Sequence, residues 1–168
     1  MEKIKITGYA KSLSIGICIG ILLKIFILDI LTVSGTSMEP TLQDGQKILV
    51  NRLAYGLAKP FGSNLMFSWN KPKENEIVVF LYNGRVVVKR CVAVENTLLE
   101  YSTESGYTLI IKDKEYPLTE LQYKLLKESK SVPEETVLVI GDNHLNSIDS
   151  RTYGFVPRMN ILGRIRGR

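Results

Sequence analysis

Residues 77–94 read I-V-V-F-L-Y-N-G-R-V-V-V-K-R-C-V-A-V, and this stretch decides the fold class. Two runs of β-branched, aromatic and aliphatic residues flank the pair Asn83 and Gly84. An Asn-Gly pair between such runs is typical of a two-residue type I′ turn, because both residues tolerate a positive φ. The sequence therefore predicts an antiparallel hairpin with strands at 77–82 and 85–94.

Lys89 lies in the middle of the second predicted strand. Side chains alternate between the two faces of a strand, so Lys89 shares its face with Val87, Cys91 and Ala93. Such a lysine is either an edge residue whose amine reaches solvent or a desolvated amine. Burial lowers a lysine pKa from about 10.4 by up to about 3 units, which makes the amine a usable base. Arg90 lies on the opposite face and needs a partner.

The rest of the body, residues 34–168, also reads as mainly β. Short apolar runs bounded by turn residues predict three further strands, at 47–51, 137–140 and 161–165. Residues 95–111 predict additional hairpins, whereas residues 53–75 are rich in Gly, Pro and Asn and predict irregular structure. Leucines at helical spacing predict one short amphipathic helix within 118–130.

Residues 12–33 precede this body and are almost entirely apolar, interrupted by Lys24 and Asp29. A helix of this length spans about 33 Å, against about 30 Å of hydrocarbon in a bilayer. The segment therefore predicts one transmembrane helix, with the long Lys24 side chain reaching toward the interface. Because Asp29 is hard to bury in lipid, the embedded part would run from about Tyr9 to Leu28.

Basic residues before the apolar segment predict its orientation. Lys3, Lys5 and Lys11 make residues 1–11 a short cytoplasmic N-terminus and leave the body outside the cytoplasm. A cleavable signal peptide ending at 33–35 is an alternative, but Lys24 splits the apolar region and no A-x-A site is present. A buried helix of a soluble protein is a second alternative, disfavoured because apolar residues surround the helix on all faces.

The composition limits the possible functions. The chain has 168 residues, enough for one domain and an anchor, and a formal net charge of +5. Its basic residues form no block with interleaved aromatics, which argues against nucleic-acid binding. The two cysteines, Cys18 and Cys91, are far apart, and the chain has a single histidine. We therefore expect neither a metal site nor a cofactor.

Residues 33–42, V-S-G-T-S-M-E-P-T-L, join the apolar segment to the body and contain Ser37. A plain polar turn would have the same composition. A serine hydroxyl becomes a good nucleophile only when a base removes its proton. The candidate bases are Lys89 and His144, the only histidine, which an aspartate of the same loop could orient in a triad. For His144, an exposed loop residue is the interpretation that we favour over a catalytic base.

Three separated motifs occur in order: S-G-x-S-M-x-P-T-L at 34–42, K-R at 89–90, and G-D-N-x-x-x-S-x-D-S-R at 141–151. Together with the preceding apolar segment, they resemble the ordered boxes of bacterial type I signal peptidases, in the short form of the Gram-positive type. The resemblance implies a mainly β fold of antiparallel, partly barrel-like sheets after one transmembrane helix. It implies a membrane-bound serine endopeptidase, acting as a monomer, that removes signal peptides from exported preproteins at Ala-x-Ala-type sites.

The resemblance also implies roles for individual residues. Ser37 corresponds to the nucleophile, Lys89 to the general base, and Ser147 to a hydroxyl that orients the lysine amine. The backbone N–H of Ser37 would stabilise the oxyanion.

Supporting residues follow from the same resemblance. Asp149 and Arg151 correspond to a charged pair that shapes the last motif, and Asp142 would pair with Arg90. Shallow apolar pockets that admit only small substrate side chains would be lined by Val33, Met38, Leu42, Val87 and Val88.

The chain departs from the family pattern at three places. Gly35 stands where some relatives have an oxyanion-hole serine, His144 replaces the usual arginine, and residues 91–95 lack the usual Pro-Gly-Asp turn. The departures spare the nucleophile and base, but they also fit a specialised or inactive paralogue in pilus or surface-protein assembly. Two further alternatives are a self-cleaving repressor-type serine–lysine protease and a membrane-tethered binding protein without catalysis.

Overall fold

The computed structural model describes residues 2–59, 62 and 64–165. In chain order, the elements are α1 (Glu2–Phe26), β1 (Leu28–Thr32), β2 (Lys47–Asn51), β3 (Gly56–Ala58), β4 (Leu65–Ser68), β5 (Ile77–Tyr82), β6 (Arg85–Val94), β7 (Glu100–Ser102), β8 (Thr108–Ile111), β9 (Lys114–Pro117), α2 (Glu120–Leu126), β10 (Thr136–Ile140), α3 (Ser150–Tyr153), β11 (Val156–Pro157), a 3₁₀ turn (Arg158–Asn160) and β12 (Ile161–Ile165). The predicted mainly β fold is therefore confirmed.

The predicted hairpin forms the centre of a seven-stranded antiparallel sheet with the order β1-β2-β12-β5-β6-β10-β11. Asn83 and Gly84 connect β5 to β6 with φ values of 49° and 72°, as a type I′ turn requires. Within the described residues, β1 and β11 are the two edges, so the sheet is open and the partly barrel-like expectation is corrected. β11 is only two residues long and ends in Pro157, which has no N–H to extend the pairing.

Two smaller features differ from the sequence predictions. Residues 53–75 contain the hairpin of β3 and β4, which their Gly and Pro content masked. The helix predicted within 118–130 is confined to residues 120–126. Its predicted apolar face is only partly buried, since Leu126 is buried but Leu121 is 79% exposed. A capping box formed by Thr119 and Gln122 fixes the start of α2.

The N-terminal helix ends earlier than the segment 12–33 that the apolar run predicted. α1 stops at Phe26, and β1 pairs antiparallel with β2, from Leu28 opposite Asn51 to Thr32 opposite Lys47. This pairing provides backbone hydrogen bonds to residues 28–32, which the sequence analysis assigned to the helix. Among the helices of the described residues, none has the length and hydropathy needed to cross a membrane.

β6 carries the side-chain alternation that the sequence predicts. Lys89 is only 5% exposed, and Cys91 and Ala93 on the same face are completely buried. β6 pairs with β5 from Arg85 to Arg90, but with β10 only from Arg90 to Val94. In the part of the chain that the structure describes, the second edge of residues 85–89 is therefore unpaired.

Candidate active site

The loop that carries Ser37 connects β1 to β2 and is held by its own hydrogen bonds. Val33 N donates to the carbonyl of Gln46 at 2.8 Å, and Gly35 N donates to Asp44 Oδ1 at 2.8 Å. Gly35 has a φ of 89°, a left-handed conformation that strains other residues. The loop thus has a defined shape, with Ser37 at the mouth of two cavities.

Lys89 Nζ lies 2.6 Å from Ser37 Oγ, although the residues are 52 positions apart in the chain. Burial lowers the pKa of Lys89, and the nearby Arg151 lowers it further. The carboxylates of Asp149 and Asp142 oppose this shift, but the net direction is downward. Of the two readings of Lys89, the desolvated amine is the one that the structure favours. A serine hydroxyl and an amine with a lowered pKa are thus in hydrogen-bond contact.

Two asparagines bind the Ser37 loop to the loop between β10 and α3. Asn143 N donates to the Ser37 carbonyl at 3.1 Å, and its Nδ2 donates to the Thr36 carbonyl at 3.2 Å. Asn146 Nδ2 donates to Thr36 Oγ1 at 2.6 Å. Sequence reasoning assigned no role to either residue, although Asn143 belongs to the G-D-N motif. These bonds fix the position of the serine relative to the third motif.

Gly141 allows this close approach. A Cβ atom at this position would lie 2.5 Å from the Ser37 carbonyl oxygen and 2.2 Å from Ser147 Oγ, so any other residue would displace one of the loops. The Ser147 hydroxyl is buried, and it has no hydrogen-bond partner among the described residues. Ser147 lines the same cavity as Ser37 and Lys89, but the expected hydrogen bond to the lysine amine is not formed.

Both charged pairs expected from the sequence are formed. Arg90 donates Nε and Nη2 to the two carboxylate oxygens of Asp142, at 2.7 and 2.6 Å. Arg151 donates Nε and Nη2 to Asp149, each at 2.9 Å, and both side chains are buried. Burial alone would raise the pKa of Asp149, but the hydrogen bonds from Arg151 hold it below its usual value. The ion pair therefore stays charged inside the protein.

The structure does not bring His144 to Ser37. The imidazole packs against Tyr116, with ring centroids 5.2 Å apart, and lines a separate cavity of about 430 Å³ beside Arg90 and Asp142. The aspartates that would orient it are already paired with arginines. The triad alternative therefore has no geometric support.

A pocket of about 210 Å³ adjoins Ser37 and Lys89. Four of the five residues expected to form apolar substrate pockets line it: Val33, Met38, Val87 and Val88. Leu42, the fifth, does not line this pocket and contributes instead to a separate cavity beside Ile48. The turn closed by Leu42 N and the Met38 carbonyl carries its side chain into the core beside Ile48.

A wider cavity of about 840 Å³ shares four lining residues with the apolar pocket: Ser34, Ser37, Val87 and Lys89. Its other lining residues come from the Ser37 loop, from the β5–β6 turn with the strand ends beside it, from the loop before α3 and from α3 itself. The stacked rings of Tyr82 and Tyr153, with centroids 4.2 Å apart, belong to this lining. The serine–lysine pair thus lies where a narrow apolar pocket and an open cavity meet.

Comparisons with known proteins find several similar chains. One is a crystal structure of a signal peptidase I from Enterococcus faecalis, with 28% sequence identity and a TM-score of 0.41. The match covers 58% of this chain and 98% of the chain in the crystal structure. The probable signal peptidase I-1 of Synechocystis is 31% identical over 156 residues, covering 90% of this chain and 76% of the relative. Signal peptidase IB of Staphylococcus aureus is 30% identical over 163 residues, covering 85% of this chain and 78% of the relative.

The family model described as signal peptidase, peptidase S26, matches residues 6–168, nearly the whole chain. This match and the two identities confirm the resemblance that the three sequence motifs indicated. The chain belongs to the type I signal peptidases of peptidase family S26, a family of serine peptidases.

Proposed function

We propose that the chain removes N-terminal signal peptides from exported preproteins, with Ser37 as the nucleophile and Lys89 as the general base. The observation that carries this proposal is the 2.6 Å distance between Ser37 Oγ and the Nζ atom of a buried lysine. A nucleophile and a base within hydrogen-bond reach are the signature of an activated serine.

In the proposed reaction, neutral Lys89 takes the hydroxyl proton as Ser37 Oγ attacks the scissile carbonyl. The resulting ammonium returns this proton to the leaving amine, and an acyl-enzyme forms. The same amine then activates the water that releases the signal peptide. The backbone N–H of Ser37 makes no hydrogen bond within the described residues, so it is free to stabilise the oxyanion. Gly35 adds no side-chain donor.

Substrate binding follows from the sheet. The unpaired edge of residues 85–89 offers backbone N–H and carbonyl groups to an extended peptide, which would add as a further strand. The adjoining 210 Å³ pocket would hold small side chains at the −1 and −3 positions of the substrate. Its walls, which include Val33 and Met38, would exclude larger side chains and so select Ala-x-Ala-type sites.

We also propose that the N-terminal apolar segment anchors the enzyme in the membrane, with residues 1–11 cytoplasmic and the body outside. The proposal rests on the apolar sequence of residues 12–33, because α1 within the described residues does not meet the requirements of a membrane span. Exposed apolar side chains along the helix support the proposal: Leu13, Ile15, Ile17, Ile19 and Ile21. An apolar surface of this kind requires lipid or a protein partner. The anchor would hold the site where exported preproteins emerge, which reduces the entropy lost on encounter.

The test of this function is cleavage of a purified preprotein that carries an Ala-x-Ala site. We expect the full chain in lipid vesicles to release one product, whose new N-terminus lies directly after the −1 alanine in mass spectrometry. Replacing that alanine with leucine should lower kcat/KM about 100-fold, because we expect the pocket walls, which include Val33 and Met38, to select small side chains. Absence of cleavage, or equal cleavage of both substrates, would contradict the proposal; an inactive paralogue would cut neither.

The pH dependence of cleavage follows from the lowered pKa of Lys89. The neutral amine is the active form, so kcat/KM should rise with pH and level off above the pKa of the folded enzyme. Because burial lowers this pKa, the midpoint should lie below the value of about 10.4 for free lysine. Rate profiles on a substrate without titratable side chains near the cut would test this. A rate that falls as pH rises would contradict a lysine base.

A further inference from the structure

The wide cavity beside Ser37 contains an arginine without a partner. Its fourteen lining residues include no carboxylate, and besides Lys89 the only basic residue is Arg85. Throughout the described residues, the Arg85 side chain makes no hydrogen bond or ion pair, whereas carboxylates pair with the other arginines: Arg52, Arg90, Arg151, Arg158 and Arg164. Arg85 is therefore a free positive charge within the substrate cavity.

The position of Arg85 relative to the cut follows from strand geometry. Arg85, Val87 and Lys89 share one face of β6. At about 3.3 Å per residue, Arg85 lies about 13 Å along the strand from Lys89. A substrate extended along the same edge advances by the same amount per residue. The pocket assigned to the −1 and −3 side chains is lined by residues 86–88, between Lys89 and Arg85, so the N-terminal side of the substrate extends toward Arg85. The substrate residue opposite Arg85 is therefore about four positions before the scissile bond.

The direction in which this residue points also follows. If the −1 and −3 side chains enter the apolar pocket, alternation turns the −2 and −4 side chains to the opposite face. That face borders the wide cavity, in which Arg85 is exposed. A side chain at −4 would thus meet a guanidinium group that has no other partner.

We propose that Arg85 is a specificity residue that favours signal peptides with an acidic side chain at −4. The inference rests on the proposed function, because it requires the substrate to lie along β6. A guanidinium group donates two parallel hydrogen bonds to a carboxylate, which provides both charge and geometric selection. Because Arg85 is exposed, the effect is a preference rather than a requirement.

The test uses three preproteins that differ only at −4, where they carry Glu, Gln or Lys. We expect the wild-type enzyme at low salt to cleave the Glu substrate about 3- to 10-fold faster, in kcat/KM, than the Lys substrate. Arg85→Gln should remove this preference, and Arg85→Glu should reverse it. High salt should reduce the preference of the wild-type enzyme, because ions screen exposed charges.

Two controls separate this inference from a general charge effect. Lys130 is exposed and lies outside the cavity, so Lys130→Glu should leave the order of the substrates unchanged. Three preproteins that carry Glu, Gln or Lys at −7 instead of −4 should be cleaved with equal kcat/KM. The inference alone would be overturned if Arg85→Glu cleaved the three −4 substrates in the wild-type order. It would also be overturned if the wild-type enzyme preferred Glu at −7 as strongly as at −4. Failure to cleave any of the substrates would instead overturn the proposed function.

Discussion

Lys89→Met should abolish most preprotein cleavage while making the protein more stable. Loss of a general base lowers kcat by about 10²- to 10⁴-fold. The stability should rise because the folded protein disfavours the charged amine, as its lowered pKa indicates, and methionine has a similar length without a charge. We expect a gain of about 1 kcal/mol, or about 2–4 °C in Tm.

The pH dependence of this gain distinguishes it from improved packing. Above about pH 10.4, lysine is neutral in both the folded and the unfolded wild-type protein, so the gain should be smallest there. As pH falls, the unfolded state binds the proton first, and the advantage of the methionine variant should grow down to the folded pKa. A gain that is constant with pH would contradict desolvation as its cause.

Matched variants complete this experiment. Lys47 is an exposed lysine on β2, and Lys47→Met should change neither activity nor pH dependence. Ser37→Ala should lose cleavage at least as completely as Lys89→Met, because it removes the nucleophile. His144→Ala should keep activity within about threefold, since the imidazole lies outside the serine–lysine site. Full processing by Lys89→Met at the wild-type protein level would refute the assigned base.

Arg151→Ala should destabilise the fold by about 3–5 kcal/mol, the cost of leaving a buried charge without its partner. Asp149 is fully buried, and Arg151 is its ion-pair partner. The substitution also orphans two backbone acceptors, because Arg151 donates to the carbonyls of Pro117 and His144 at 3.0 and 2.8 Å. Urea unfolding followed by circular dichroism would measure the loss.

Two comparisons make this prediction specific. Arg158 pairs with Glu135, whose side chain is 61% exposed, so Arg158→Ala should cost less than about 1 kcal/mol. Adding Asp149→Asn to Arg151→Ala should recover part of the loss, because it removes the unpaired buried charge. Equal costs for the two arginine variants would contradict the role of burial.

The same pair predicts a sensitivity to acid. The folded-state pKa of Asp149 is lowered, so its contribution to stability is present above the unfolded value of about 3.9. That contribution is lost as pH falls through the folded pKa, when the carboxylate must take up a proton. Arg151→Ala should show much less of this acid destabilisation.

The central hairpin could be predicted because local signals agree there. Turn chemistry, β-branched residues and alternation all indicate the same structure, and the observed strands β5 and β6 match the predicted bounds. The end of α1 could not be predicted in the same way. Residues 28–32 are nearly as apolar as the helix before them, and only their pairing with β2 distinguishes a strand from a helix.

The site shows the same division between local and long-range information. The family motifs indicated the serine, the lysine and both charged pairs, and the structure brings each set into contact. Leu42 does not line the apolar pocket, because a turn carries its side chain into the core. Asn143 and Asn146 acquire their roles only when two loops more than 100 residues apart meet.

The open edge of β6 also has a consequence for the enzyme at rest. An unpaired strand edge is a template for any extended chain, including a second copy of the same protein. Residues 85–88 combine this edge with the exposed Val86. An enzyme without substrate is therefore prone to aggregate through the edge proposed to bind substrate. Arg85, at the start of the edge, can act as a gatekeeper charge that discourages self-association. Recognition of substrate and protection against self-association would then depend on the same four residues.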